Sequence, residues 1–228
     1  MNSAELPCTS PLFAGISPDG LIQMLSCLDA RRKCFVSGEV VLLAGETADR
    51  IGVLLSGRAQ VLREDVAGTR TIVAELMPGD LFAETFACAS GGGMALPVTV
   101  QAAAESAVLL LDYRRMISSC RQSCPCHAKL IENMLAVLAD KNLLLSRRLG
   151  HLSRRTTREK LLSYLSEQAT LAGSDRFTIP FNRQELADYL CVERSAMSAA
   201  LGRLREEGLL DFSRSRFYLR RDRWTEPG

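Results

Sequence analysis

Thiols, two imidazoles and one short arginine–serine run are the groups in this 228-residue chain whose type and spacing suit chemistry. The densest thiol group is Cys120-x3-Cys124-Pro-Cys126-His127. Thiolate and imidazole bind zinc, iron–sulfur clusters or haem. The spacing is not the CxxC pair of a zinc finger, and unbridged cysteines also serve as small buried hydrophobes. Two readings therefore stand: Cys120, Cys124 and Cys126 hold a metal, cluster or redox function, with Cys88 as a fourth ligand if its loop folds back, or they pack. The cofactor is left open as an iron–sulfur cluster, haem or none. The second group is Arg194, Ser195, Ser198 and Ala199. An arginine there can grip guanine O6 and N7 with both guanidinium arms, serine is permissive, and an alanine methyl can meet a thymine methyl. No Ser-His-Asp order, phosphate-binding loop or helical histidine pair occurs, so catalysis is not expected.

The arginine–serine run needs a helix to present it. Asn182 is a good N-cap with Glu185 three residues on, as in a capping box. Leu186, Ala187 and Leu190 form one apolar face, and the pattern breaks at Cys191-Val192-Glu193. Met197, Ala200, Leu201 and Leu204 then repeat at helical spacing. Small residues at 187, 196 and 200 permit two helices to cross closely. This is the pattern of a helix-turn-helix whose second helix enters a major groove; any small helical hairpin is the plainer reading.

Upstream, residues 1–10 look frayed, and Ser10–Leu28 reads as one or two short helices. From Arg31 to Leu111, short β-rich runs are punctuated by glycines 38, 45, 57, 68 and 79. The runs are Glu39–Leu43, Ile51–Leu55, Ala59–Arg63, Thr71–Leu76, Val98–Ala102 and Ala107–Leu111, a sandwich or rolled barrel. Apolar residues from Leu130 to Leu152 recur every three or four positions, giving a long helix of about 25 residues. Its stripe is broader than one neighbour needs, which predicts a parallel helix pair and a dimer; burial within one chain is the alternative. Gly150 and Ser153–Thr157 make a hinge, where His151 has no evident partner. Arg158–Leu171 is a further helix, Phe177–Phe181 a short strand, and Leu209–Leu219 a hairpin, which makes the module winged.

Residues 1–150 hold 14 Lys and Arg against 15 Asp and Glu, and residues 151–228 hold 14 against 11. Basic clusters at Arg147-Arg148, Arg154–Lys160 and Arg214–Arg223 suit phosphate, though an ordinary solvated surface would look similar. No apolar run reaches the ~20 residues that span a bilayer. No basic segment followed by an apolar core opens the chain. A reducing cytoplasm, no membrane and no permanent disulfides are expected.

The order of parts, together with Gly38-Glu39, Gly45-Glu46, Leu55-Ser56-Gly57, Gly79-Asp80-Leu81, Arg183-Gln-Glu-Leu-Ala187 and Arg194-Ser-Ala-Met-Ser198, resembles the Crp/Fnr family of transcription regulators. The resemblance covers roughly Ser10 to Leu219. It implies an α+β chain. Its parts are an N-terminal double-stranded β-helix or jelly roll like that of cyclic-nucleotide binders (1–112), a long dimerisation helix (113–152) and a winged helix-turn-helix (153–228). It implies a homodimer on a palindromic double-stranded operator, with RNA polymerase as a further partner. An effector between the roll and the long helix would shift the dimer toward a DNA-competent arrangement.

Arg194, Ser195, Ser198 and Ala199 are then the expected base readers, with Gln184, Arg203 and Arg214 on phosphates. A salt bridge from Arg194 to Glu193 or Asp188 is the structural alternative. Family members often carry Glu and a second Arg where this chain has Ser195 and Ala199, so the familiar half-site is not carried over. Cyclic-nucleotide binders hold ribose through a glutamate and phosphate through an Arg-Ser pair. Gly79–Glu84 keeps the glutamate, but the pair falls on Leu96-Pro97, after a Ser90–Gly93 loop. Leucine and proline supply no cation for a buried phosphate. Tight binding of cyclic AMP is therefore not expected, although a nest at Gly91–Gly93 would suit an anion. The expected pocket is apolar: Phe82, Glu84, Phe86, Met94, Leu96 and Met134. Fnr-type members bind a cluster near their N-terminus, and Cys8 and Cys27 do not reproduce that grouping. The competing class is an interaction module that recruits a protein through the roll and long helix, without physiological DNA binding.

Overall fold

Ser17 and Pro18 start the first helix, α1 (Pro18–Cys27). The Ser17 side chain accepts from the Gly20 N–H at 3.3 Å, and proline at the first turn forfeits no helical bond. Leu21, Met24 and Leu25 are its buried face. The computed structural model describes residues 10–65, 68, 70–89, 94–118 and 125–220. The chain forms two units that divide between Asp140 and Lys141. Cys8, Cys120, Cys124, the Ser90–Gly93 loop, Arg221 and Arg223 lie outside the described residues.

The first unit is built on strands β1 (Arg31–Phe35), β2 (Val40–Leu42), β3 (Arg50–Ser56), β4 (Ala59–Glu64), β5 (Arg70–Leu76), β6 (Leu81–Phe82), β7 (Thr99–Ala102) and β8 (Ser106–Asp112). They pair antiparallel in two sheets, β1-β8-β3-β6 and β2-β7-β4-β5. Two short helices join them, α2 (Glu84–Cys88) and α3 (Tyr113–Ile117), followed by the long helix α4 (Pro125–Leu152).

β8 is an unbroken apolar run because both of its faces are covered. Val108 and Leu110 point into the roll with Leu54, Phe82 and Val100. Leu109 and Leu111 point the other way, onto Leu21, Met24, Leu130 and Met134 of the helices. Strand alternation thus divides the unit into two cores. Gly52 pairs with Phe82 across β3 and β6, and a methyl at Gly52 would overlap the Phe82 ring. The glycine is there because an aromatic ring occupies the place of its side chain.

Six strands fall where sequence spacing puts them. β1 does not: Arg-Arg-Lys-Cys reads as a solvated charge run, and only Phe35 of the strand is buried. Its charged side chains guard a sheet edge.

The second unit takes the end of α4, then α5 (Thr157–Leu171), β9 (Arg176–Thr178), α6 (Arg183–Tyr189), α7 (Arg194–Glu206), β10 (Leu210–Ser213) and β11 (Arg216–Leu219). Its sheet runs β10-β11-β9. Leu161, Leu165, Leu186, Met197, Leu201 and Leu204 lie within one core. Helices α5 and α6 begin with capping boxes, Thr156 with Glu159 and Asn182 with Glu185.

His151, without a visible partner in the sequence, has two in the fold. It is 4% exposed, with Nδ1 2.9 Å from Ser163 Oγ and Nε2 2.7 Å from Glu167 Oε2. Arg147 reaches the other Glu167 oxygen at 3.3 Å, and Arg148 lies 5.0 Å over the Tyr189 ring. The stretch read as a hinge is therefore tied down: the last turns of α4 are stitched to α5 and α6.

Candidate nucleic-acid interface

α7 is presented by what lies beneath it. Met197, Ala200, Leu201 and Leu204 are buried, leaving Ser195, Ser198, Ala199 and Arg203 exposed on the opposite side. Its first turn faces outward because α6 ends in a tight turn at Cys191, whose φ of 51° is left-handed. The Cys191 N–H donates to Asp188 O, and the Val192 N–H to Ala187 O.

Arg194 lines a groove of about 570 Å³ with Asn182, Gln184 and Glu185 at the start of α6 and Arg214-Ser215 at the wing tip. Three of the expected DNA contacts, Gln184, Arg194 and Arg214, thus converge from three separate elements. Arg194 makes no ion pair among the described residues. Asp188, one of its alternative partners, instead accepts from Gln184 Nε2 at 2.9 Å. Ser198 Oγ donates to the Arg194 carbonyl at 2.9 Å, which leaves its lone pairs outward. Arg203 is exposed further along α7.

Arg214 sits at φ 54°, a conformation that ordinary residues avoid. The Ile179 N–H donates to Ser215 O at 3.0 Å and pins the wing tip beside β9. Arg183 was not expected to matter separately. Its guanidinium lies 4.6 Å over Phe212 and 5.3 Å over Phe217, and burial lowers its pKa from the ordinary arginine value. It is a prop joining α6 to the wing hairpin. Only the fold brings these three residues together, so sequence spacing carried no signal for it. The unit carries 17 Lys and Arg against 11 Asp and Glu, a stronger excess than the boundary drawn at residue 151 suggested.

The expected sensor residues are distributed in the first unit. Glu84 is 5% exposed at the start of α2, just after Ala83, which has φ 61°. Phe82 belongs to the core inside the roll and Met134 to the one under the helices, so the two do not face one pocket. Phe86 is half-buried and Met94 is exposed. Leu96 is buried, its N–H donating to Glu46 O and its carbonyl accepting from Gly45.

Cys88 is half-buried. Burial first, then the neighbouring Glu84 carboxylate, pushes its thiol pKa up against an opposing hydrogen bond from Tyr113. Cys126 is half-buried against α1, where a side chain on Gly20 would meet its Sγ. Among the described residues, no three His, Cys, Asp or Glu side chains form a metal-binding group. His127 is buried. Its Nε2 is 2.6 Å from the Met116 carbonyl, which can only accept, so Nε2 donates, and Nδ1 has no partner among the described residues.

The family model described as a cyclic nucleotide-binding domain matches residues 32–123, and that of a Crp-like helix-turn-helix domain matches residues 159–223. The chain is 26% identical over 201 residues to the "Cyclic AMP receptor protein" of Thermus thermophilus, covering 88% of each. It is 24% identical over 208 residues to the "Probable transcriptional regulator flp" of Lacticaseibacillus casei, covering 90% of each. Among solved structures, CprK complexed with OCPA superposes with a TM-score of 0.59 at 13% identity, covering 86% of this chain and 88% of that one. That likeness concerns the fold. A nucleotide-binding-type roll followed by a Crp-like helix-turn-helix, matched across nearly the whole length of both curated relatives, places this chain in the Crp/Fnr family of transcription regulators.

Proposed function

We propose that two copies of this chain join through α4 and hold their α7 helices against a two-fold symmetric DNA site. Occupancy of that site is gated by a signal at the roll other than tightly held cyclic AMP. The observation that carries the DNA reading is the convergence of Gln184, Arg194 and Arg214 on one groove. Arg194, Ser195, Ser198 and Ala199 read base edges; Gln184, Arg203 and Arg214 set register on phosphates. The cytoplasm is the compartment this function requires. RNA polymerase is a partner wherever the bound protein activates.

The dimer reading rests on α4. Leu135, Leu138, Asn142, Leu145, Leu149 and Leu152 follow the alternating three-and-four spacing of a two-stranded seam. Leu135, Leu145 and Leu149 are each more than 60% exposed in the single chain. Leucines so exposed along one helix have their counterpart in a second copy. Asn142 at an inward position suits two strands in one register.

One relative's name makes cyclic AMP the first effector to consider. This chain keeps the buried Glu84. At Leu96-Pro97, however, it has an apolar side chain whose amide already serves a backbone carbonyl, followed by a residue with no N–H. Neither can hold a cyclic phosphate. An iron–sulfur or haem signal would use Cys120, Cys124 and Cys126. The Nδ1 lone pair of His127 favours this, since a ring whose other nitrogen donates to a carbonyl is set up as a ligand.

Selection of duplexes from a random-sequence pool by anaerobically purified protein tests the proposal. A two-fold symmetric consensus is expected, with no change in affinity on adding cyclic AMP. An absorption spectrum with iron and sulfide analysis of the same preparation reads the cofactor. An asymmetric consensus, or tightening by cyclic AMP, would overturn the corresponding part.

A further inference from the structure

Two cations of α5 reach the closing ends of the two helices of the helix-turn-helix. Lys160 Nζ donates to the Leu190 carbonyl at 3.2 Å, and Leu190 is the residue that closes α6. Arg158 grips both oxygens of Glu207, at 2.7 Å and 2.6 Å, and Glu207 closes α7. At 3.6 residues per turn the two side chains leave α5 on either side of its buried stripe, Leu161, Tyr164, Leu165 and Ala169. A cation is favourable at the carboxyl end of a helix, where the last carbonyls have no partner inside it.

The Lys160 contact falls where the chain turns. The Leu190 carbonyl and the Cys191 N–H belong to one planar peptide. The N–H donates to Asp188 O at 3.2 Å and the carbonyl accepts from Lys160, so the plane is held at both ends. The carbonyls of Leu186, Ala187 and Asp188 are taken by amides within the turn. Leu190 is 0% exposed, and Lys160 makes no ion pair among the described residues. Its charge thus serves a carbonyl that would otherwise be buried and bare, which a folded chain avoids. The left-handed step at Cys191 follows directly, and α7 starts three residues later at Arg194.

We infer that Lys160 is a positioning residue for base reading. It fixes the peptide from which α7 departs, and with it the angle at which Arg194 and Ser198 meet base edges. The inference rests on the DNA reading proposed above and deepens it. A guanidinium grips a guanine edge through two parallel bonds, and such a site tolerates a shift of only about 0.5 Å or 10–20°. Phosphate contacts meet the same backbone whatever the sequence. Losing the Lys160 ammonium therefore costs discrimination between sequences, not affinity for DNA in general.

The test measures binding of the full chain to the duplex recovered by pool selection and to a shuffled duplex of equal length, across a salt series. Lys160→Met keeps the stem and drops the ammonium. It is expected to narrow the ratio of the two affinities about five- to tenfold, the worth of a lost base contact. Binding to the shuffled duplex and the salt slope should stay as in the wild type. Lys160→Arg keeps a cationic donor and should recover most of the ratio. In the free protein, hydrogen exchange at the Cys191 and Val192 amides should quicken in Lys160→Met. Thermal melting checks the fold, and Lys160→Gln, with a shorter donor, replaces Lys160→Met if that variant does not melt cooperatively. An unchanged ratio, or unchanged exchange at the two amides, would overturn the inference. So would a salt slope lower by about 0.9 with both duplexes weakened alike, which would make Lys160 a phosphate contact. If the wild type does not prefer the selected duplex, the underlying DNA reading falls and takes the inference with it.

Discussion

At the scale of single residues, position and type divide the labour. Arg194, at the start of α7 and in no ion pair among the described residues, should specify, whereas Arg203, two turns on, should only position. Arg194→Ala is expected to cost about 1–3 kcal/mol on the selected duplex and to flatten the preference at one base pair. Arg203→Ala should weaken all duplexes alike and lower the salt slope by about 0.9. Competition binding with single-base variants separates the two. Arg214 occupies a left-handed position that glycine fills at no steric cost. Arg214→Gly is therefore expected to gain a few tenths to about 1 kcal/mol of stability in urea titration while binding DNA less tightly. A variant both less stable and unchanged in binding would refute that role. The helix-turn-helix was legible because helix capping and apolar spacing are local signals. The part played by Arg183 was not, because it depends on two phenylalanines about thirty residues or more away.

At the scale of elements, strands β3, β6 and β8 each serve two clusters, and this limits what can be substituted. Gly52→Ala drives a methyl into the Phe82 ring. It should cost about 1–3 kcal/mol by thermal or urea unfolding, and Phe82→Leu in the same chain should recover part of the loss. Along α4, Asn142 would stand at the otherwise leucine-rich seam of the proposed dimer, its side-chain oxygen accepting from Ser146 at 3.2 Å. Asn142→Ile is expected to tighten self-association, read by sedimentation, because a buried amide trades stability for register. The roll's strands were legible from alternation and glycine turns. β1 was hidden by its charges, and two-residue β6 is too short for any period to register. The expected pocket failed to gather for a related reason: alternation sends Phe82 into the roll, while Met134 belongs with the helices.

At the scale of the whole chain, charge and exposed leucine are segregated. The basic excess gathers after residue 141 and the unpartnered leucines along α4. The stitching of α4 to α5 through His151, Ser163 and Glu167 makes the end of that helix part of the DNA-reading unit. The order of the parts was fully readable in the sequence, since each has its own period and punctuation. What the roll detects was not, because an effector site is made by side chains that converge only after folding. The central claim is a dimer that reads DNA. The most direct measurement is the number of chains bound per selected duplex, by sedimentation across a salt series. The account predicts two chains per duplex, with affinity falling steeply as salt rises. One chain per duplex, or binding indifferent to salt, would contradict it.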